Sequence, residues 1–205
     1  MFKDYKIKDF LNQTASNEPT PGGGSIAALT GAIAFSLCEM VANLSLNKEK
    51  YAIHKKDFEN IIKVTEDLRE ELLDDINKDA SSFDEVMKAF KLPKSTDEEK
   101  KVRSAKIQEG YKYAASVPMG IAEKIFKSLE VIEFVINNGN QNALTDGLVS
   151  LMSARTAILG ALLNVKINLG SIKDKEFVEE CNKKVNALET KTIDFEQRVL
   201  TKINL

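Results

Sequence analysis

The chain has 205 residues, enough for one domain with a real core, and its 29 Lys and Arg against 31 Asp and Glu leave a net charge of −2. Charge is mixed along the sequence, so no basic stripe argues for nucleic acid and no acidic tail for disorder. Two cysteines without C-x-x-C spacing, Cys38 and Cys181, exclude a disulfide scaffold and a zinc site and point to a reducing compartment, by default the cytoplasm. The opening MFKDYKIKDFLNQ lacks the uninterrupted apolar run and small-residue cleavage site of a signal peptide. Two stretches, Ile26 to Leu46 and Leu148 to Val165, are apolar enough to raise the membrane question. Each carries a charge (Glu39, Arg155) and several hydroxyl or amide residues, so both read as buried helices, apolar on all sides.

Apolar residues recur every three or four positions and no run alternates convincingly, so the chain reads as all-α: a single domain over 1–205, a bundle of about six or seven helices. A short amphipathic helix covers Tyr5 to Ser16. Pro19-Thr20-Pro21-Gly22-Gly23-Gly24-Ser25 then leads into a small-residue helix ending near Asn47. Glycines before a helix allow positive φ and close backbone approach, and the first turn offers unpaired N–H donors, which together make an anion or polar-ligand cradle. The spacing matches neither a Walker loop nor a dinucleotide fingerprint. The same residues also fit a plain glycine-rich linker with Ser25 or Thr20 as helix cap.

A turn at Lys48 to Tyr51 precedes a long third helix from about Ile53 to Phe90, stopped at Leu92-Pro93. Ser95-Thr96-Asp97-Glu98-Glu99 is the next start signal. That helix reaches about Leu129, kinked or interrupted near Pro118, and a short one follows from Glu130 to Asn137. Gly139 suits a left-handed C-cap, and Thr145 or Asp146 a cap for the helix running to Leu169-Gly170. The last helix spans Lys173 to Lys202.

On the third helix, Phe58, Ile61, Leu68, Leu72, Ile76, Phe83, Val86 and Phe90 form one stripe, and Asp79 falls inside it while Asp74, Lys78 and Asp84 point away. A desolvated carboxylate is costly unless paired and its pKa rises, so Asp79 is either an acid–base candidate or half of an interhelical ion pair. Arg155 sits on an apolar face and needs an anion: Asp79, Glu39 or a ligand carboxylate would serve. Glu39, alone on its helix, raises the same question. His54, among lysines past a turn, has no assigned role.

Six segments, in order, resemble the cyclodeaminase domain of formiminotransferase-cyclodeaminase and its stand-alone bacterial relatives. They are PTPGGGS; MVANLSLNKEKY from Met40; DASSFDEVMKAFKLP from Asp79; Arg103 to Pro118; GNQNALTDG from Gly139; and GALLNVKINL from Gly160. The resemblance implies an all-helical homodimer that acts on tetrahydrofolate one-carbon derivatives in a groove at or near the subunit interface. It assigns catalysis to Asp79, which opens the D-x-x-x-F segment, and substrate contacts to Gly22, Gly23, Gly24, Ser25, Asn43, Asn140, Asp146, Asn164 and Asn168. Thr145 stands where the family usually has serine. The implied reaction closes 5-formiminotetrahydrofolate to 5,10-methenyltetrahydrofolate with loss of ammonia, a step of histidine degradation. The alternative is cyclohydrolysis of the methenyl derivative to 10-formyltetrahydrofolate; a non-catalytic folate- or protein-binding dimer is a further one. The expectation is no metal and no cofactor beyond the folate itself, with or without a polyglutamate tail. No nucleic acid or membrane is expected as partner, and substrate diffuses freely or comes from a separate formiminotransferase.

Overall fold

Wherever apolar residues recur at helical spacing, the computed structural model, which describes residues 1–203, shows a helix. In chain order these are α1 (Ile7–Thr14), α2 (Gly23–Leu46), α3 (Lys55–Phe90), α4 (Asp97–Lys127), α5 (Leu129–Asn138), α6 (Leu144–Leu169) and α7 (Lys175–Leu200), with 3₁₀ turns at Phe2–Asp4, Glu49–His54 and Gln141–Ala143. No strand occurs among the described residues. The start of α4 follows its signal: the Thr96 hydroxyl accepts from the Glu99 backbone while the Glu99 carboxylate accepts from the Thr96 backbone, a reciprocal capping box.

The central element is α2, packed between α3 and α6, with α4 laid across α3 and α6. Its buried face is mostly glycine, alanine and serine, with Phe35, Cys38 and Val41, and such small side chains let neighbouring helices approach closely. At Gly31 a Cβ would come 2.6 Å from Ile125 Cδ1 and 3.2 Å from Leu72 Cδ1. Helix α6 runs antiparallel to α2: Gly160 faces Ala27, the Ser150 hydroxyl donates to the Ala34 carbonyl at 2.7 Å, and Asn140, just before α6, donates to the Ser45 hydroxyl at 2.8 Å.

Several local expectations change. Helix α2 begins at Gly23, so two of the three glycines lie inside its first turn, and Gly22 is the N-cap in place of Ser25 or Thr20. No described residue has positive φ. Gly139, at φ −83°, is not a left-handed cap; it is small because a Cβ there would lie 2.4 Å from the Val135 carbonyl oxygen. Neither Thr145 nor Asp146 caps α6. Asn140 caps the preceding 3₁₀ turn by accepting from the Asn142 backbone, and the helix follows directly. Phe90 is 41% exposed and stacks edge-on with Tyr111, because Ser82 and Ala89 carry the buried stripe at the end of α3. The apolar helices α2 and α6 are only about half-buried: 56% and 50% of their most hydrophobic windows. Ile33, Met40, Leu44, Val149, Met152, Leu163 and Ile167 are exposed.

Pro118 does not interrupt α4. It lies buried within a continuous helix. A proline has no N–H to give the carbonyl four residues earlier, here that of Ala114, and the Asn168 side chain supplies the missing donor at 3.0 Å. This side-chain bond replaces a backbone one and fixes the end of α6 against α4. Asn168→Ala should therefore destabilise the protein by about 1–3 kcal/mol, as expected for an orphaned buried carbonyl. In a Pro118→Ala background, where the backbone N–H returns, the same change should cost clearly less. Denaturant unfolding of the four proteins of this cycle checks the coupling, and equal costs in both backgrounds would refute it.

Candidate active site

The close approach of α2 and α3 builds the site. Gly24 lies against the Asp79 carboxylate so tightly that a Cβ on it would be 2.0 Å from Oδ1 and 2.8 Å from Oδ2. Glycine is needed here for proximity. Gly23 is held the same way against Asn164, whose Nδ2 would be 2.9 Å from a Cβ. Because the first intrahelical bond of α2 runs from Ile26 to the Gly22 carbonyl, the N–H groups of Gly23, Gly24 and Ser25 have no helical partner, and the positive end of the helix dipole faces the carboxylate.

A cavity of about 370 Å³ opens beside this contact. Its walls come from the loop before α2 (Pro19, Thr20, Gly22) and the first turn of α2 (Gly23, Gly24), from Asp79, Ser82 and Phe83 on α3, and from Tyr111 and Ala114 on α4. Asn164, Ile167 and Asn168 at the end of α6, with Ser171, complete them. Among the described residues no lysine, arginine or histidine lines it. The Asn168 amide spends both N–H donors on carbonyls, those of Ala114 and of Asn164 at 2.9 Å, whereas Asn164 gives one N–H to Gly160 at 2.8 Å and keeps the other. Their oxygens remain as acceptors. The cavity thus offers backbone donors on one side and acceptors plus a carboxylate on the other, which suits a polar, cationic ligand.

Asp79 pairs with no cation among the described residues. Its close partner is Ser25, whose hydroxyl is 2.9 Å from Oδ2. Burial raises the Asp79 pKa above the ordinary carboxylate value, with the Ser25 hydroxyl and backbone N–H pulling partly back. One turn earlier, Asp75 is also buried yet bridged by Lys124 at 2.7 Å and Lys78 at 2.8 Å. The ion pair considered for Asp79 belongs instead to Asp75, whose partner Lys124 sits on another helix and leaves no local pattern. Arg155 binds Glu196 on α7 at 2.9 Å and Glu39 binds Arg69, so neither reaches the cavity. His54 stacks on Phe134 and Phe58 and contacts Asp57.

The structure therefore brings together Asp79, Gly22, Gly23, Gly24, Asn164 and Asn168, and draws Ser25 in through Asp79; its fully buried side chain is not on the cavity wall. Asn43, Asn140 and Asp146 lie at the opposite end of the α2–α6 pair, roughly 30 Å along α2 from Gly23. There the Asn140 amide is occupied with the Leu44 carbonyl and the Asn142 N–H. Ser82, Phe83, Tyr111, Ile167 and Ser171 were not expected in the wall. Phe83 belonged to the apolar stripe, and Tyr111 joins only through the crossing of α4 over α3. Among the described residues no group of three His, Cys, Asp or Glu side chains is placed to hold a metal.

A carboxyl whose pKa is raised on folding keeps its proton in the native state where the unfolded chain has lost it. It thus withdraws stability as pH climbs through the ordinary carboxylate range toward its own value. Asp79→Asn should therefore melt at or above wild type at pH 7, with the difference closing as pH falls below the ordinary carboxylate range. Thermal unfolding across that range checks this; a variant that melts well below wild type at pH 7 would contradict it.

A formiminotransferase-cyclodeaminase family profile matches residues 6–187. The chain is 40% identical over 182 residues to a methenyltetrahydrofolate cyclohydrolase of Methylorubrum extorquens, covering 89% of this chain and 88% of that protein. It is 29% identical over 185 residues to the formimidoyltransferase-cyclodeaminase of Mus musculus, where the match covers 90% of this chain but 34% of the mouse protein. The crystal structure of formiminotetrahydrofolate cyclodeaminase from Thermotoga maritima superposes with a TM-score of 0.87 at 31% identity, covering 97% of this chain and 96% of that one. With fold and sequence in agreement, the chain belongs to the formiminotransferase-cyclodeaminase family.

Proposed function

We propose that this protein is a folate one-carbon enzyme whose reaction is the hydrolysis of 5,10-methenyltetrahydrofolate to 10-formyltetrahydrofolate. The observation that carries the reading is the Asp79 carboxylate, half-buried and, among the described residues, without a cation partner or a basic side chain on its cavity wall, in a chain 40% identical to a cyclohydrolase along nearly its whole length. The methenyl group is an amidinium cation, and a carboxylate with amide oxygens complements it. Asp79 accepts a proton from water as the water oxygen adds to the methenyl carbon. The carbon–N5 bond then breaks, N5 takes the proton back from Asp79, and the adduct's hydroxyl proton leaves as the formyl C=O forms. Burial, which raises the Asp79 pKa above the ordinary carboxylate value, favours return of the proton once it has been taken up.

The likeness to the Thermotoga formiminotetrahydrofolate cyclodeaminase favours a second reading of the same site. In cyclodeamination N10 attacks the formimino carbon of 5-formiminotetrahydrofolate, Asp79 takes the N10 proton and delivers one to the departing ammonia. The substrate then comes from a separate formiminotransferase. The free thiols of Cys38 and Cys181 fit a reducing cytoplasm for either reaction.

The catalytic unit in this reading is a homodimer. The exposed stripe from Ile33, Met40 and Leu44 on α2 across Val149, Met152, Leu163 and Ile167 on α6 carries no charge, which is uncommon for a surface that stays in water. Ile33 lies midway between Gly23 and Asn43, and Thr156 midway between Thr145 and Ile167. A two-fold axis at that level pairs the stripe with itself and carries Asn43 and Asp146 of one copy to the Asp79 cavity of the other. Such a dimer reunites the two separated groups of polar residues.

Purified protein offered each folate separately tests the reaction. Loss of methenyl absorbance should run at least tenfold faster than ammonia release from 5-formiminotetrahydrofolate, each rate corrected for the uncatalysed one. The reverse ratio would assign cyclodeamination instead, and no turnover of either would sink the enzyme reading. Light scattering of the same sample at micromolar concentration should give twice the chain mass; a monomer that turns over at full rate would contradict the dimer.

A further inference from the structure

The Ser25 hydroxyl is fully buried and lies between two acceptors, 2.9 Å from Asp79 Oδ2 and 3.0 Å from the Ile76 carbonyl oxygen. It has one proton to give and two lone pairs with which to accept. We propose that Ser25 is a positioning residue whose rotating hydroxyl satisfies both protonation states of Asp79: it donates to Oδ2 of the carboxylate, and turns to donate to the Ile76 carbonyl while accepting from the protonated acid. No proton leaves Ser25; only its O–H bond turns. The inference rests on Asp79 being the group that exchanges protons with substrate, and it gives Ser25 a role through Asp79 in place of substrate contact.

The geometry carries this assignment in three ways. A buried carboxyl that must hold and release a proton within each turnover leaves an orphaned polar atom in one of its two states, unless its neighbour can both donate and accept. A hydroxyl meets that condition; a backbone N–H or a lysine cannot. The Ile76 carbonyl lies on the same helix face as Asp79, one turn earlier, so the alternative acceptor is fixed relative to the carboxylate. Gly24 then presses on the Oδ1 side, so Asp79 cannot turn away to find another partner. The contrast with Asp75, clamped by two lysines, is one of function: fixed cations favour one charge state, whereas a hydroxyl tolerates both.

The test is a carboxyl ¹³C titration of Asp79, its signal identified by its absence in Asp79→Asn, together with the pH profile of methenyltetrahydrofolate turnover, in wild type, Ser25→Ala and Ser25→Cys. Losing the hydroxyl removes a bond that favours the carboxylate. The Asp79 titration and the acid limb of kcat/KM should both move up by about one pH unit in Ser25→Ala, with kcat down about tenfold and KM little changed. Ser25→Cys, of similar size with a weaker donor, should fall between, and it decides the matter if the alanine variant does not fold. A titration that stays at the wild-type value overturns the proposal, as does a change confined to KM, which would make Ser25 a substrate contact. The titration needs no turnover, so it judges Ser25 even if Asp79→Asn stays active and the catalytic reading itself fails.

Discussion

The contact on which this structure depends is the one between Gly24 and the Asp79 carboxylate. A carboxylate in an apolar stripe is expensive, and folded proteins usually offset the cost with a cation. Here the first turn of α2 does so in part, through unpaired N–H groups, a dipole end and one hydroxyl, and these reach the carboxylate because three consecutive residues have little or no side chain. The compensation is incomplete, so the acid stays poised above its ordinary range. A lysine in place of Ser25 would hold Asp79 ionised and remove its capacity to return a proton.

Much of the remaining architecture holds that contact in place. Alanines along α2 let α3 and α6 close on both sides, and α4 crosses α6 where a proline has left a carbonyl free for Asn168. The proline thus helps fix a residue of the cavity wall, because the amide that repairs the helix is that of Asn168. The Asp75–Lys124–Glu71 cluster, one turn from Asp79, ties α3 to α4 by fixed charges and keeps those cations engaged away from the cavity.

Helices, their order and Asp79 itself were legible in the sequence, because a 3.6-residue period places a carboxylate on an apolar face without knowledge of what lies opposite. The glycines were legible as a close approach, but the expected left-handed backbone was not needed: proximity alone excludes a Cβ. What could not be read was pairing between distant segments. Nothing local links Lys124 to Asp75, Glu196 to Arg155 or Asn168 to Ala114, and the antiparallel course of α2 and α6 separates Asn43 and Asp146 from the aspartate they were grouped with. Phe90 was misread because a stripe drifts around a 36-residue helix, and its end turns toward solvent.

The proposed chemistry depends on Asp79 moving protons to and from the folate. Its most direct test is kcat of Asp79→Asn for methenyltetrahydrofolate at saturating substrate, in a variant shown by circular dichroism to be folded. Removing the base while keeping the shape should lower kcat by roughly 10²–10⁴-fold with KM nearly unchanged. A variant that turns over within a few-fold of wild type would contradict it.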